Sequence, residues 1–326
     1  MSSIILNALR DAAVSQRTMY KYKKCVAEFI QHSHQQLSLI PFNDFDALDY
    51  ALSQYFEQLY KQHLSYSKAV CTLYGLCLLF PKLYDRRMLA DSKLRLKGWR
   101  RLKPSTSYPP LTYEVVCAIS IHMIFKGHVD EGIATLLSFD CYLRISEFVN
   151  LKVSDIVIPG IDCRSSRTLR HKVVLCLEQT KTGRNQSVII RRSEIASLVS
   201  TFIQHKKTLH SKRSNIQPLK LFSFTAASYR RIFKSTCYQL HLSHIGYTPH
   251  SLRHGGATFD FQNSISISDI KTRGRWRDTK SAERYIQTGV ALLRLYHVPP
   301  SVFEIGCLVI DNLSQFITLI SSYYLQ

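Results

Sequence analysis

The sequence predicts a mainly α-helical protein with one small antiparallel β-sheet, the α+β class, divided into a helical first domain and a mixed second domain. Three observations support this prediction. Apolar residues recur at helical spacing along most of the 326 residues. Runs of β-branched residues with the length of strands occur between residues 154 and 190. Three prolines within residues 103–110 end the helical pattern between the two regions, and a chain of this length exceeds one ordinary core.

Helices are predicted throughout the first domain, residues 1–103. Tyr22, Val26 and Phe29 share one face of a helix that includes residues 19–30, which is the spacing of an amphipathic helix. Residues 44–62 repeat this pattern, and Asp46 is the expected N-cap. Residues 66–79 are nearly all apolar, so we expect them to form the most buried helix.

A basic segment ends the first domain. Residues 86–103 contain one acidic residue and eight basic ones, which are Arg86, Arg87, Lys93, Arg95, Lys97, Arg100, Arg101 and Lys103. Residues 104–110 follow, and we interpret this proline-rich stretch as the linker between the domains. The basic segment is expected to contact a polyanion, and the alternative is a charged helix face that meets only solvent.

The second domain, residues 111–326, is predicted to combine helices with a three-stranded sheet. Helices are expected at residues 111–137, 139–150, 193–207 and 226–240. Strands are expected at residues 155–158, 173–179 and 187–190, with turns at Pro159-Gly160 and at residues 180–185.

Three more helices are expected after residue 247. Thr248 and Pro249 form an N-cap and first-turn pair that begins a helix through Phe261. A short helix begins near Ser268 and ends at Gly274. The last of the three is capped by Asp278 or Thr279 and is expected to carry Glu283, Arg284 and Tyr285.

The charge of the chain predicts a polyanionic partner. Lys and Arg number 43 against 23 Asp and Glu, so the formal net charge is +20. Such an excess is typical of proteins that bind nucleic acid or an acidic membrane. We expect no membrane partner, because the first residues lack a basic n-region and the apolar residues 302–320 contain Glu304 and Asp311. Nine scattered cysteines without a C-x-x-C pair, together with the missing signal peptide, predict an intracellular protein with reduced thiols.

Three segments combine polar residues with apolar neighbours in a pattern that suggests a reaction site. They are Arg144 and Glu147 at i, i+3, then Pro249-His250-Ser251-Leu252-Arg253-His254, and then Gly274-Arg275-Trp276 with Tyr285 nine residues after the tryptophan. Small residues follow His254 and would let that helix pack closely. Each segment alone has an ordinary structural explanation, such as a solvated ion pair, a capping histidine or a packed aromatic ring. The ordered combination is far more specific than any one segment.

This combination, R-x-x-E, a lysine at a β-hairpin turn, H-x-x-R-H, G-x-W and then Y, resembles the signature of the tyrosine recombinase, or phage integrase, family. The resemblance covers most of the chain. It implies a helical core-binding domain, a basic linker and a mixed catalytic domain. It also implies that the protein belongs to a mobile element or a virus. It also implies an enzyme that cuts and rejoins DNA through Tyr285, with a 3′-phosphotyrosyl link and a free 5′-hydroxyl.

Breaking a phosphodiester without a metal requires cations at the non-bridging oxygens, an in-line nucleophile and an acid for the leaving oxygen. Arginine suits the first task because it stays charged and makes bidentate contacts. With the resemblance, Arg144 and Arg253 are expected to hold the scissile phosphate, Tyr285 to attack phosphorus, and His250 to help remove the tyrosine proton.

The remaining site residues have supporting roles in this interpretation. Lys181, 37 residues after Arg144, is expected to protonate the leaving 5′-oxygen, with Lys172 and Arg184 as the alternatives. Trp276 is expected to donate its indole N–H to a phosphate oxygen. Glu147 is expected to orient an active-site arginine or histidine, and His254 to act as a structural hydrogen-bonding residue.

Double-stranded DNA is therefore the expected partner, bound by a homotetramer on two DNA sites. DNA contacts are expected from the basic segment 86–103 and from the cleft rim, where Arg275 and Arg277 lead a group that includes Lys206, Lys207, Lys212, Arg213, Lys271, Arg273 and Lys280. The 40 or so residues after Tyr285 are expected either to dock on a neighbouring protomer or to pack on their own domain. The protein is expected to be DNA-associated, in the nucleus if the host is eukaryotic.

No cofactor or metal is expected. The sequence has no G-x-x-x-x-G-K-[ST] motif for a nucleotide and no carboxylate cluster for two metals. A zinc site at His241, His244, His250 and His254 lacks a cysteine or carboxylate to complete it. Two other functions remain open: a type IB topoisomerase-like or telomere-resolving enzyme, and a catalytically silent, domesticated DNA-binding protein.

Overall fold

A computed structural model describes residues 12–36, 44–85, 87–104, 107–158, 172–180, 183–211 and 218–325 of the chain. The chain divides into two compact units, Met1–Thr106 and Ser107–Gln326. Each unit has its own hydrophobic core. The division falls within residues 104–110, where the prolines interrupt the helical pattern.

The first unit is helical. Its helices are α1 (Gln16–Gln36), α2 (Phe45–Lys61), α3 (Tyr66–Leu79) and α4 (Ala90–Leu102), with a 3₁₀ turn at Pro81–Tyr84. Leu52, Phe56 and Leu76 are buried between them. The N-cap of α2 is Asp44 and not Asp46, because the Asp44 carboxylate accepts the backbone N–H groups of Asp46 and Ala47. Helix α4 carries most of the basic segment, and the Asp49 carboxylate holds its first turn by accepting two backbone N–H groups.

The second unit combines helices with one sheet. Its helices are α5 (Tyr113–Phe125), α6 (Val129–Asp140), α7 (Ile145–Phe148), α8 (Ser193–Ser211), α9 (Ala226–Gln239), α10 (Pro249–Gln262), α11 (Ile267–Gly274), α12 (Thr279–Glu283), α13 (Thr288–Leu295), α14 (Pro300–Asp311) and α15 (Leu313–Leu325), with 3₁₀ turns at Val153–Asp155 and Ser243–Ile245. The strands are β1 (Ile156–Val157), β2 (Val174–Thr180) and β3 (Gly183–Ile189), antiparallel in the order β1-β2-β3. Leu175 pairs with Ile156 on one side and Val188 on the other. The α+β prediction is confirmed.

Two helix predictions in the second unit were wrong. Residues 111–137 form two helices, because Gly127 takes a left-handed backbone with φ of 82° between α5 and α6. Residues 139–150 are not one helix either: α6 ends at Asp140, Tyr142 is left-handed with φ of 50°, and the short α7 begins after Arg144. The most buried helix is also different, since α6 buries 11 of its 12 residues and α3 seven of 14.

Glycines allow two close helix contacts in the second unit. A Cβ at Gly255 or Gly256 of α10 would lie 2.2 Å from the carbonyl oxygen of Leu111 or Phe139. The prediction of close packing by small residues after His254 is therefore confirmed. Gly306 of α14 lies equally close to the backbone of Glu114 in α5, so the C-terminal helix α14 packs on its own unit.

No single helix among the described residues is long and apolar enough to cross a membrane. The pair Pro300–Asp311 and Leu313–Ser322 reaches the length and composition of a span only when taken together, and it bends by 83°.

Candidate active site

Arg144 and Glu147 form the first part of the site, at the start of α7. Arg144 is the N-cap residue of this helix. Glu147 accepts the backbone N–H of Arg144 at 2.9 Å and its guanidinium Nη1 at 2.6 Å. The Glu147 side chain is 2% exposed and that of Arg144 19% exposed. The Glu147 carboxylate therefore holds one side of the Arg144 guanidinium, and part of that guanidinium remains accessible to a ligand.

Arg253 lies at the centre of the site and is fully buried in helix α10. Its Nη1 donates to the carbonyl oxygen of Tyr142 and its Nη2 to that of Gly274. Its Nε has no hydrogen-bond partner among the described residues. Burial, followed by the charges of Arg144 and Arg275, lowers the pKa of this guanidinium. Two backbone carbonyls thus hold the Arg253 guanidinium in place. Because Arg144 and Arg275 add positive charge nearby, the site favours the binding of an anion.

Arg275 was expected on the cleft rim, and the structure places it inside the site. It ends α11 in a left-handed conformation with φ of 56°, and its side chain is 3% exposed. Its Nη2 donates to Glu147 Oε2 at 2.9 Å. Burial favours the neutral form of Glu147, but the charge of Arg275 and then that of Arg144 outweigh it, so the pKa of Glu147 is lowered. One carboxylate therefore serves two arginines, while Arg253 has only carbonyl partners among the described residues.

Tyr285 lies against an aromatic wall. Its ring stacks on His254 with centroids 4.3 Å apart, and it lies 4.7 Å from Trp276 and 5.7 Å from His250. The Arg253 guanidinium carbon is 5.3 Å from the tyrosine ring centre. The site thus brings the predicted nucleophile together with the predicted arginine, histidines and tryptophan.

The backbone around Tyr285 differs from the prediction. Helix α12 ends at Glu283, so Tyr285 follows the helix and is not carried on it. The Thr258 hydroxyl donates to the Tyr285 carbonyl at 3.1 Å and accepts the Gln287 N–H at 3.0 Å. A side chain of α10 therefore fixes the segment that presents the tyrosine.

Both histidines of the site favour the neutral form. Burial, with the charges of Arg253 and Arg144, lowers the pKa of His250 to about 4. Burial, followed by His250 and Arg253, lowers the pKa of His254 to about 3. The Gln287 amide lies 3.2 Å from His254 Nδ1, where it donates to a neutral ring. Near neutral pH a neutral His250 is able to accept a proton.

Trp276 has an unused donor. Its indole Nε1 is buried and has no hydrogen-bond partner among the described residues. The ring lies between Arg253, whose guanidinium carbon is 4.6 Å from its centre, and Tyr285. A Cβ at Gly274 would lie 1.8 Å from the tryptophan ring, so the glycine of G-x-W makes room for it. A buried donor without a partner is costly unless a ligand completes it.

A comparison with family models identifies the chain. The model of the phage integrase family matches residues 121–290, which is more than half of the 326 residues. The chain belongs to the phage integrase family. The resemblance seen in the sequence is confirmed, and the protein is an enzyme of the tyrosine recombinase type that acts in DNA recombination.

Two solved structures share the fold of this chain. The integrase of transposon Tn1549 in complex with transposon right end DNA has a TM-score of 0.58 at 15% identity, covering 87% of this chain and 94% of that one. The XerH site-specific recombinase bound to palindromic difH substrate, a post-cleavage complex, has a TM-score of 0.53 at 11% identity, covering 80% and 72%. A comparison with curated proteins finds no match.

The lysine expected in a phage integrase site is not located by the structure. Lys181 lies outside the described residues, in the sequence between the last residue of β2 and the first of β3. Of the two alternatives, Lys172 is exposed just before β2, and Arg184 has no described side chain. Arg86, Lys212 and Arg213 also lie outside the described residues.

The basic residues of the first unit fall into two groups. Lys93 donates to the carbonyls of Asp85 and Met88, and Arg95 pairs with Glu57 and Asp91, so both serve their own unit. The other described members are exposed, and they are Arg87, Lys97, Arg100, Arg101 and Lys103. In the second unit Arg277 is exposed as well.

Sequence reasoning missed three contributors to this site, namely Tyr142, Thr258 and Gln287. Each acts through contacts with residues more than 25 positions away, and no local motif marks them. The described residues contain no group of three or more His, Cys, Asp or Glu arranged to hold a metal ion.

Proposed function

We propose that this recombinase breaks and rejoins DNA strands between two sites through Tyr285, with a 3′-phosphotyrosyl intermediate. One observation carries the proposal: the ring of Tyr285 lies 5.3 Å from the guanidinium carbon of Arg253 and 4.7 Å from the ring of Trp276. A nucleophile, a phosphate-binding cation and a free N–H donor are therefore neighbours.

The proposed reaction follows from these groups. The Tyr285 oxygen attacks the scissile phosphorus and forms a new P–O bond, while the bond to the 5′-oxygen breaks. Arg144 and Arg253 hold the non-bridging oxygens, and the Trp276 N–H donates to one of them. The tyrosine proton passes to neutral His250. Lys181 gives a proton to the leaving 5′-oxygen. The exchange of one phosphodiester for another conserves the bond energy, so it needs no nucleotide cofactor.

The DNA contacts are proposed on the exposed basic residues. Lys97, Arg100 and Arg101 lie exposed on α4, and contacts of this kind give affinity without base selection. The Tn1549 integrase and XerH structures contain DNA, which supports double-stranded DNA as the partner here. We further propose a homotetramer on two DNA sites, a role in a mobile element, and a nuclear location if the host is eukaryotic.

The nucleophile is tested with a pool of nicked suicide duplexes that have a randomised central region, followed by a denaturing gel. We expect a covalent protein–DNA species for the natural chain and none for Tyr285→Phe. Sequencing the trapped DNA then gives the target site. A covalent species that persists in Tyr285→Phe would exclude Tyr285 as the nucleophile, and its absence from the natural chain would favour a silent DNA-binding protein.

The reaction class is tested with the recovered site. Strand exchange between two labelled duplexes is expected, and relaxation of a supercoiled plasmid by a monomer without exchange would indicate the topoisomerase-like alternative. For the acid, a bridging 5′-phosphorothiolate needs no proton to leave. It is expected to restore cleavage by Lys181→Ala but not by Arg144→Ala, and rescue of neither variant would remove Lys181 from this role.

A further inference from the structure

Tyr142 occupies an unusual backbone position beside the arginines. Its φ is 50°, in the left-handed region that residues other than glycine rarely adopt. Its carbonyl oxygen accepts Nη1 of Arg253 and, at 3.3 Å, Nη2 of Arg275. The orientation of this one peptide group therefore sets the position of two of the three guanidinium groups in the site.

The side chain of Tyr142 is anchored on all sides. It is 1% exposed, and its hydroxyl donates to Asp260 Oδ2 at 2.5 Å. The guanidinium carbon of Arg273 lies 5.4 Å from the ring centre, and the Trp276 ring lies 5.9 Å away. A tyrosine keeps a left-handed backbone only where its surroundings prevent it from returning to a more favourable conformation, and these contacts hold Tyr142 in that way.

The anchor belongs to a group of charges, here called the Asp140–Asp260 cluster, which consists of Asp140, Asp260, Arg191, Arg192 and Arg273. The two carboxylates are buried, and Arg191 is exposed. Asp260 pairs with Arg191 at 2.9 Å, and Asp140 pairs with Arg192 at 2.6 Å and with Arg273 at 2.9 Å. Arg191 and Arg192 lie two and three residues after the end of strand β3, and Arg273 also donates to the carbonyl of Ile189 in that strand. The cluster thus joins the end of the β2–β3 hairpin to the Tyr142 turn.

We propose that Tyr142 is a positioning residue for DNA cleavage. Its left-handed backbone, held by the hydroxyl contact with Asp260, directs the carbonyl that orders Arg253 and Arg275 before DNA arrives. Tyr142 touches no reacting atom and acts through the arginines. This inference rests on the proposed function, because that proposal assigns Arg253 to the scissile phosphate. Ordering such groups in advance speeds the chemical step more than it strengthens binding.

The decisive comparison is between Tyr142→Gly and Tyr142→Ala. Both remove the ring, the hydroxyl and the packing, but glycine adopts the left-handed backbone without strain and alanine does not. If the backbone direction matters, Tyr142→Gly cleaves about five times faster than Tyr142→Ala in single-turnover adduct formation. If only packing matters, the more flexible glycine variant is equal or slower, and this result would overturn the proposal.

Tyr142→Phe provides a variant with little risk of misfolding, because it keeps the ring and loses only the hydroxyl. We expect its cleavage rate to fall about three- to tenfold, while DNA affinity measured by fluorescence anisotropy stays within about twofold. The matched control is Tyr247→Phe, because the Tyr247 hydroxyl is buried in the same unit and has no hydrogen-bond partner in the part of the chain that the structure describes. Equal cleavage rates for the two phenylalanine variants would also overturn the proposal.

The natural chain and Tyr285→Phe belong in the same experiment. If the natural chain forms no adduct, or Tyr285→Phe forms one, the proposed function fails and this inference fails with it. If both behave as proposed and the Tyr142 variants match their controls, the inference alone fails.

Discussion

The imidazole of His254 lies nearly parallel to the phenol ring of Tyr285, with centroids 4.3 Å apart and 29° between the planes. Both residues are also linked to Gln287. The side-chain amide of Gln287 lies 3.2 Å from His254 Nδ1. The Thr258 hydroxyl accepts the backbone N–H of Gln287 and donates to the Tyr285 carbonyl. The tyrosine is thus restrained at both ring and backbone. In this arrangement a residue expected to be merely structural limits the rotation of the nucleophile.

His254→Ala is therefore expected to slow covalent adduct formation by about tenfold, because the tyrosine ring gains orientations that cannot attack. The rate is measured in single turnover with saturating DNA. The control is His244→Ala in the same unit, where the side chain is exposed and donates to the carbonyl of His297. Equal rates for the two variants would show that the stacked ring does not restrain the nucleophile.

Trp276→Phe distinguishes the contribution of the indole N–H from that of the aromatic ring beside Tyr285, because it removes the N–H and keeps an aromatic ring. Because Nε1 has no hydrogen-bond partner among the described residues, loss of the N–H itself costs no stability. The smaller ring is expected to lower the free energy of unfolding by about 1–2 kcal/mol. Cleavage is expected to fall about tenfold or more, since the phosphate loses a donor. Denaturant unfolding and adduct formation are measured in parallel. A stable variant with normal cleavage would exclude the N–H from catalysis.

The histidine pKa values predict how stability depends on pH. The pKa is lowered to about 4 for His250 and about 3 for His254, so the unfolded chain binds these protons first as the pH falls. Their contribution to stability is complete above about pH 6.5 and is lost progressively below it. For His254, about 1–2 kcal/mol should be lost between about pH 7 and pH 5. Urea unfolding at both pH values should show a smaller loss for His254→Gln, and an equal loss would contradict the burial effect.

Glu147→Gln tests the shared carboxylate. The change leaves Arg275 buried without its counter-charge, so we expect the free energy of unfolding to fall by about 3 kcal/mol. Added sulfate should recover part of it by occupying the arginine site. The control is Glu178→Gln, because Glu178 is 66% exposed in its pair with Lys152 and should contribute less than about 1 kcal/mol. A similar small loss for both variants would show that Arg275 does not depend on Glu147.

Two glycine substitutions test the close packing of α10. A Cβ at Gly256 meets the Phe139 carbonyl, so Gly256→Ala is expected to destabilise the protein by about 2–3 kcal/mol. A Cβ at Gly289 of α13 meets nothing within 4 Å, so Gly289→Ala should stabilise by up to about 1 kcal/mol through helix propensity. Thermal unfolding measures both. Destabilisation by both substitutions to the same degree would contradict the packing argument.

The sequence predicted well what depends on local pattern. Helix α3 begins and ends where its apolar residues do, and the three strands overlap the predicted ones. Strand β3 begins at Gly183, however, inside the segment predicted as a turn. The break at Gly127 was missed because apolar spacing continues across it, although the glycine is left-handed. Boundary errors of this kind arise where the backbone angle of one residue ends a helix while the hydrophobic pattern continues unchanged.

For the site, the motif predicted which residues lie close together but not what surrounds them. Arg144, His250, Arg253, Trp276 and Tyr285 all converge in the structure. Arg275 was expected on the rim, because nothing local distinguishes a solvated arginine from one paired with a buried glutamate 128 positions earlier. The roles of Tyr142 and Gln287 depend likewise on tertiary contacts, which one sequence does not encode in any readable pattern.

The pairing of one carboxylate, Glu147, with the arginines of the site should affect the lifetime of the protein. Arg144, Arg253 and Arg275 repel one another, and Glu147 balances only part of that charge. If DNA binds this site as proposed, its phosphates supply negative charge and raise the free energy of unfolding of the second unit. We therefore expect a molecule off DNA to unfold more often, and to be degraded sooner, than one on DNA. Turnover of the protein then favours the molecules that have found a target.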